Sequence, residues 1–431
     1  MLALAVSGGR DSRALALLAR RWLARRRGKA VALVVDHGLR EGAAAEAEQT
    51  RAWLTAQGIE SEVLRWRPAT QPHSRIQAAA RAARYGMLLT WCRRNGVLHL
   101  LTAHQADDQA ETYALRAAHR SGPAGLAAMS ALVEFSEARL LRPLLSVPRA
   151  RLAATLQASG HGWIDDPSNV DPRFARARLR RDGMPIHAAA AIQQAATFAT
   201  RRAAHDVGVA MSMAQVAMPH PLGGVLIDHA AWLELPAAQA QAVVASAIVT
   251  VAGAEYPPRR ERALRVVGQM RAVPARPERA PAGMTLGGCR LLWRGGGWLI
   301  VREPASVVAG GRAASSPGRW DGRFEICGKD GKTRECSVQV PPARPAARVP
   351  EGWQQAWPAT AGLPALLATL PVLAEGRRLS PNAVAGSREA QDGVGKAGQP
   401  DVRACFRPVS PLASGPFFPC FVVAKGQIVN R

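Results

Sequence analysis

The feature that most constrains this chain is the string Ala3-Leu4-Ala5-Val6-Ser7-Gly8-Gly9-Arg10-Asp11-Ser12. Leu2, Leu4 and Val6 belong to an apolar run too short for a helix, and the run stops at two adjacent glycines. It reads as a buried strand that enters a glycine turn and then a helix reaching about residue 27, with Ser12 as the helix cap. Adjacent glycines leave backbone N–H groups uncovered at the positive end of the helix dipole, so an anion can approach while the Ser7 and Ser12 hydroxyls close round it. This is a phosphate cradle. It is not a Walker loop, because Gly-x-x-x-x-Gly-Lys-Ser/Thr does not occur and no lysine follows the glycines. Asp11 takes a different part: a carboxylate beside bound phosphates is tolerable if a divalent cation, Mg²⁺, bridges them. An ordinary glycine-rich turn accounts for Ser-Gly-Gly alone equally well.

The following segments repeat the alternation of helix and apolar strand. Residues 31–35 are a continuous apolar run of the kind buried in parallel sheets, and Asp36 and His37 follow at its carboxyl end. In open α/β sheets that edge is where ligands bind, which makes both residues candidates for a nucleotide pocket, although a lone histidine there is often structural. Residues 75–94 form a helix with Gln77, Arg81, Arg84 and Tyr85 on one face. The strand over 97–101 delivers Thr102-Ala103-His104-Gln105-Ala106-Asp107-Asp108-Gln109-Ala110-Glu111-Thr112. On a helix that begins near Asp107, Asp108 and Glu111 are i,i+3 neighbours and Asp107 and Glu111 are i,i+4. Like charges so spaced destabilise an isolated helix by a few tenths of a kcal/mol, so something cationic should offset them. Mg²⁺ or a substrate ammonium would serve; acids answering a helix dipole are the plainer explanation.

Charge narrows the partner. The 431 residues carry a formal net charge of +24, and all but five of the 56 basic residues are arginine. A polyanion, nucleic acid first, is the matching partner, while biased genomic composition also produces such a skew. The densest run, Arg173 to Arg181, suits bidentate phosphate binding or a solvated helix face. Hydrophobic residues at 48% and charged residues at 20% exclude a disordered chain. No apolar stretch reaches about 18 residues and no basic leader precedes the first strand, so neither a membrane span nor a signal peptide is expected. Six cysteines without a Cys-x-x-Cys pair suggest reduced, cytoplasmic thiols rather than a metal or redox motif.

Taken together, Ser-Gly-Gly-Arg-Asp-Ser, Asp36-His37-Gly38-Leu39-Arg40, the Ala-Ala-Arg-x-Ala-Arg-Tyr helix, His104-Gln105-x-Asp107-Asp108-Gln109-x-Glu111-Thr112, the Ser-Gly-x-x-Gly-Leu loop, Arg142-Pro143-Leu144-Leu145 and Asp166-Pro167-Ser168-Asn169 resemble, in order, the tRNA(Ile)-lysidine synthetase family of the ATP pyrophosphatase (PP-loop) superfamily. The resemblance covers about residues 1–182. It implies ATP-dependent joining of L-lysine to the wobble cytidine of a CAU-anticodon isoleucine tRNA, through an adenylated cytidine, with release of AMP and pyrophosphate. By the same resemblance Ser7, Gly8, Gly9, Arg10, Asp11 and Ser12 hold the triphosphate and Mg²⁺. Asp108 and Glu111 receive the lysine ammonium, His104 and Asp107 shape that pocket, and Arg84 and Arg176 neutralise phosphate charge. Arg10 and Arg13 depart from the pattern, which favours small or apolar residues beside the loop.

The expected fold is α/β: a doubly wound parallel sheet of the PP-loop ATPase type over residues 1–182, a helical domain over 183–275, and a small β-containing, loop-rich C-terminal domain over 276–431. A homodimer is one assembly this reading admits. Three rivals share parts of it. A tRNA thiolase of the same superfamily would relay sulfur through cysteines, yet only Cys92 lies in the catalytic half. A tRNA-binding protein without catalysis would not need Asp11, Asp108 and Glu111. A small-molecule amidoligase would have no RNA affinity.

Overall fold

In the computed structural model of the chain, residues 1–36, 38, 42–67, 76–135, 137–165, 173, 175–220, 222–254, 256–309, 319–328, 338–339, 366, 372–373 and 402–406 are described. They fall in two compact units, one within residues 1–206 and the other within 207–414.

The first unit alternates strand and helix: β1 (Leu2–Val6), α1 (Arg10–Ala24), β2 (Ala30–Asp36), α2 (Ala43–Ala56), β3 (Glu60–Arg65), α3 (Ile76–Arg94), β4 (His99–Leu101), α4 (Ala106–Ala118), α5 (Pro123–Leu126), β5 (Leu132–Glu134), β6 (Arg139–Leu141), α6 (Arg149–Gln157), α7 (Ala175–Asp182) and the start of the long α8 (Ala188–Val216), in which the boundary after Asp206 falls. The six strands form one sheet in the order β3-β2-β1-β4-β6-β5, parallel except for the β5 edge. Leu4, Val6, Ala32 and Val34 face one way onto Leu15 and Leu17 of α1, Leu54 of α2 and Leu152 and Leu156 of α6. Ala3, Val31, Leu33 and Leu100 face the other way onto Leu88, Leu89 and Cys92 of α3. Period-two burial on both faces is what makes the strands read as continuous apolar runs. The short run at Leu140 and Leu141 is a strand of the sheet, pairing with both β4 and β5.

This strand order positions the site. From β1 the chain steps outward to β2 and β3, then returns to place β4 on the opposite side of β1. The two connections that leave β1 and β4 therefore run in opposite directions along the sheet, and the crevice between them lies at the carboxyl ends of those strands.

The second unit holds β7 (Ala217–His220), β8 (Gly224–Asp228), α9 (His229–Leu233), α10 (Ala237–Ala252), α11 (Arg260–Arg271), β9 (Met284–Leu286), β10 (Cys289–Arg294), β11 (Gly297–Arg302) and α12 (Pro304–Ala309). Its five-stranded antiparallel sheet runs β7-β8-β11-β10-β9 and covers α10 and α11 through Val243, Val244, Ile248, Val267, Met270, Trp298 and Ile300. The β10 and β11 hairpin turns at Gly295 and Gly296, both at positive φ, as the alternation around those glycines predicts. β7 and β8 lie within residues 183–275, between the helices α8 and α9. Pro219 and the positive-φ Gly223 interrupt helix there, and the short apolar run between them and Asp228 has a sheet edge to join. Later in the chain β12 (Arg319–Trp320), β13 (Phe324–Gly328), β14 (Val338–Gln339), β15 (Val372–Leu373) and β16 (Val402–Phe406) give a three-stranded sheet β12-β13-β16 and the pair β14-β15. Residues 385–399 of the expected loop-rich C-terminal domain lie outside the described residues. Among the described residues no helix is long and apolar enough to cross a membrane.

Candidate active site

The glycine loop leaves β1 with Gly8 at φ +80°, where a Cβ would run into the Thr50 hydroxyl from α2. Only glycine takes that turn without strain. Gly9 is the residue that precedes α1, and no side chain caps the helix. Ser12 therefore is not the cap expected from sequence. The helix starts two residues earlier, at Arg10, because Gly9 is already extended. Ser12 closes the loop instead: its Oγ accepts from Ser7 N (3.1 Å), donates to Gly9 O (2.9 Å) and lies 3.2 Å from Ser7 Oγ. The N–H groups of the first helical turn have no intrahelical acceptor and remain at the mouth of the loop.

The two unexpected arginines have structural partners. Arg13 is buried, its guanidinium 4.1 Å above the Trp53 ring and donating to Gly162 O. Ile164 N donates to Gly8 O (3.0 Å), so the segment that Arg13 anchors also backs the glycine turn. Arg10 lies 5.8 Å over Trp163 and its Nε meets Asp11 Oδ1 at 3.3 Å. Asp36 ends β2, and its Oδ1 accepts from Gly38 N (3.0 Å), so one carboxylate oxygen is committed to the turn. His37 lies outside the described residues.

The second group surrounds the start of α4. Gln105, fully buried, precedes the helix; its Oε1 accepts from Asp107 N (2.6 Å) while Asp108 Oδ2 accepts from Gln105 N (3.1 Å). This reciprocal cap fixes both side chains. Asp107 turns away from the other acids and accepts from Arg149 N at the start of α6 (2.9 Å). Asp108 and Glu111 stay together, and the cation that like charge demands is arginine. Arg180 chelates Glu111 through Nε to Oε1 (2.6 Å) and Nη2 to Oε2 (3.0 Å). Arg149 Nη2 lies 3.8 Å from Asp108 and 3.6 Å from Glu111, and Arg176 Nη1 lies 3.7 Å from Asp108 while its Nη2 donates to Thr112 Oγ1 (3.1 Å). Burial pushes the Asp108 carboxyl above its ordinary value, and the Gln105 N–H and Arg176 oppose that rise.

His104 follows β4, half-buried, with Nδ1 3.1 Å from Thr102 Oγ1. Burial, then the charges of Arg142, Arg81, Arg176 and Arg84, push its pKa down to about 3, so the imidazole is neutral. Arg84 is thus brought to the same edge as Arg176.

Sequence reasoning missed Arg149, offered Arg180 only within an arginine run suited to phosphate, and offered Arg142 only within a family motif. The signal available was Arg176 and Arg180 at i,i+4 on α7, one helix face aimed at an unmatched acid pair. The rest of the arginine run behaves as solvated surface: Arg178 donates to Arg173 O, and Arg181 pairs with Asp182. Asp166-Pro167-Ser168-Asn169 lies outside the described residues.

A PP-loop domain family matches residues 1–186. The chain is similar to a tRNA(Ile)-lysidine synthase of Methylobacterium nodulans, 41% identical over 309 residues, which are 70% of this chain and 90% of the relative. A second such synthase, from Ruegeria pomeroyi, is 35% identical over 77% of this chain and 78% of its own length. A third, from Rhodopseudomonas palustris, reaches 50% identity over 181 residues, 42% of this chain and 52% of the relative.

Proposed function

This chain belongs to the tRNA(Ile)-lysidine synthase family, and on that premise we propose that it uses ATP to join L-lysine to the wobble cytidine of the CAU anticodon of isoleucine tRNA. The observation that carries the proposal is the pair Asp108 and Glu111, held by the α4 cap at the β4 end of the crevice whose β1 end is the Ser7 to Ser12 loop. A phosphate cradle and an acid pair on neighbouring parallel strands suit a reaction that needs a nucleoside triphosphate and an amine together.

In this reading the loop N–H groups and the Ser7 and Ser12 hydroxyls hold the ATP phosphates, and Arg10 adds charge at their edge. Arg84 and Arg176 counter charge that builds up as the cytidine oxygen attacks the α-phosphate. Asp108 and Glu111 bind the lysine ammonium, and Asp108, its carboxyl raised by burial, accepts the proton when the amine attacks C2 of the adenylated cytidine. AMP then leaves. His104 and Asp107 shape the pocket, the first as a neutral donor or acceptor, the second by fixing α6.

One carboxylate, Asp11, stands at the loop, and among the described residues no three metal-ligating side chains gather elsewhere. That suits Mg²⁺, which keeps waters and takes phosphate oxygens with one or two carboxylates, and which would supply charge neutralisation there. The sulfur-relay alternative would draw on Cys92, the cysteine of the catalytic half, and that thiol is buried, with burial pushing it up to about 11, which does not suit a relay nucleophile.

The test is incorporation of labelled lysine into a CAU-anticodon isoleucine tRNA transcript, with ATP and Mg²⁺, beside a transcript carrying uridine at the wobble position. Label dependent on ATP and on the cytidine supports the proposal; tight tRNA binding without label sinks it. Sedimentation of the active protein decides between monomer and homodimer.

A further inference from the structure

Three arginine-bearing elements meet at the carboxyl ends of β4 and β6. Arg81 and Tyr85 sit one turn apart on α3, with the Arg81 guanidinium 5.1 Å from the Tyr85 ring centroid and its Nη2 3.5 Å from the hydroxyl. Arg142 follows β6 directly. Its Nη1 donates to Ser130 O (2.6 Å), it interacts with the Tyr85 hydroxyl, and its Nε is buried without a hydrogen-bond partner among the described residues. Arg176 arrives from α7. Neither Arg81 nor Arg142 makes an ion pair with a carboxylate among the described residues, and the charge of Arg81 raises the cost of charge on the buried Arg142. Arg81 and Arg142, which share Tyr85 with no acid among the described residues paired to either, are stable together when an anion joins them.

We propose that Arg81 and Arg142, steered by Tyr85, form a phosphate site separate from the glycine loop, and that its ligand is a phosphodiester of the RNA flanking the reacting cytidine. The inference rests on the proposed tRNA substrate. Two observations favour RNA over the nucleotide. The triphosphate already has the donors of the Ser7 to Ser12 loop, one strand away. Arg81 is solvent-exposed and lies over an aromatic ring, an arrangement open to a strand that approaches from outside. Arg142 backs the site from within, and neutral His104 beside it adds no further positive charge.

The experiment measures binding of the isoleucine tRNA transcript by the full chain between about 50 and 200 mM salt, for the wild type, Arg81→Gln, Arg81→Lys and Tyr85→Phe. Arg81→Gln is expected to weaken binding several-fold and to lower the log–log salt slope by about one, as loss of one phosphate contact does. Arg81→Lys should keep the slope, Tyr85→Phe should weaken binding with the slope intact, and the KM for ATP and inhibition by pyrophosphate should be unchanged in all three. An unaltered slope and affinity in Arg81→Gln overturns the proposal. So does an unaltered slope with weakened pyrophosphate inhibition, which would assign the arginines to the nucleotide. A wild type that binds tRNA in a salt-dependent way but incorporates no lysine counts against the lysine-transfer reading alone, and a wild type without salt-dependent RNA binding overturns both.

Discussion

Arg180 and Glu111, 69 residues apart in the chain, form a two-pronged ion pair at 2.6 and 3.0 Å, with the Glu111 side chain only 4% exposed. The guanidinium occupies the carboxylate that the proposed mechanism reserves for a substrate ammonium. In this arrangement the acid pair is already electrically satisfied, and an incoming amine must displace or share an arginine rather than enter an empty negative pocket.

Arg180→Gln should therefore lower stability. Glu111 would keep Arg149 and Arg176 at 3.6 to 4.0 Å, so the loss is expected at about 1–3 kcal/mol rather than the full cost of an isolated buried charge. Urea midpoints at constant m measure it, and a cycle with Glu111→Gln isolates the coupling. An unshifted midpoint would show that the pair contributes nothing.

Asp108→Asn should separate chemistry from folding. An Asn oxygen can still accept from Gln105 N, so stability should fall by less than about 1 kcal/mol. Lysine transfer should drop at least ~10²-fold if Asp108 accepts the amine proton. Label incorporation and a thermal melt on the same preparation read both; near wild-type transfer would remove Asp108 from the mechanism.

The two loop glycines should respond differently. At Gly8, with φ +80°, alanine meets Thr50 and the backbone strain together, whereas at Gly9 the nearest atom to a new Cβ is 3.6 Å away. Gly8→Ala is expected to be less stable than Gly9→Ala by about 1–2 kcal/mol and to raise the KM for ATP. Equal melting temperatures would refute the strained turn.

His104 makes a pH prediction. Its folded pKa, near 3, is depressed below an unfolded value of about 6.5, so between those values the unfolded chain binds a proton that the folded chain does not. Stability should fall as pH drops through that window, by up to about 1.4 kcal/mol per pH unit from this group, and level off below it. His104→Gln should flatten that part of the curve relative to wild type; parallel curves would mean that the imidazole protonates freely in the fold.

The apolar runs at Leu4 and Val6 and at 31–35 gave the parallel strands directly, because burial on both faces leaves no polar position in them. The Gly295-Gly296 turn was legible for a similarly local reason: positive φ is cheap only for glycine. Ser12 was misread as a cap because a serine beside a helix start has two uses, and the backbone of Gly9 decides which. Asp107 looked equivalent to Asp108 by spacing, yet it serves α6, whose position no i,i+4 rule contains.

The sequence by itself determined the local chemistry: where strands end, where a left-handed glycine is needed, and which short segment carries the acids. The family resemblance rested on those same segments. Tertiary structure decided the pairings across elements: that Arg149, Arg176 and Arg180 surround Asp108 and Glu111, that Arg13 is buried against Trp53, and that Arg81 and Arg142 meet at Tyr85. Spacing along a chain fixes which side chains share one helix face. Which charge then faces them depends on how helices rotate and cross to bury their apolar faces, and those angles are set by packing over the whole sheet.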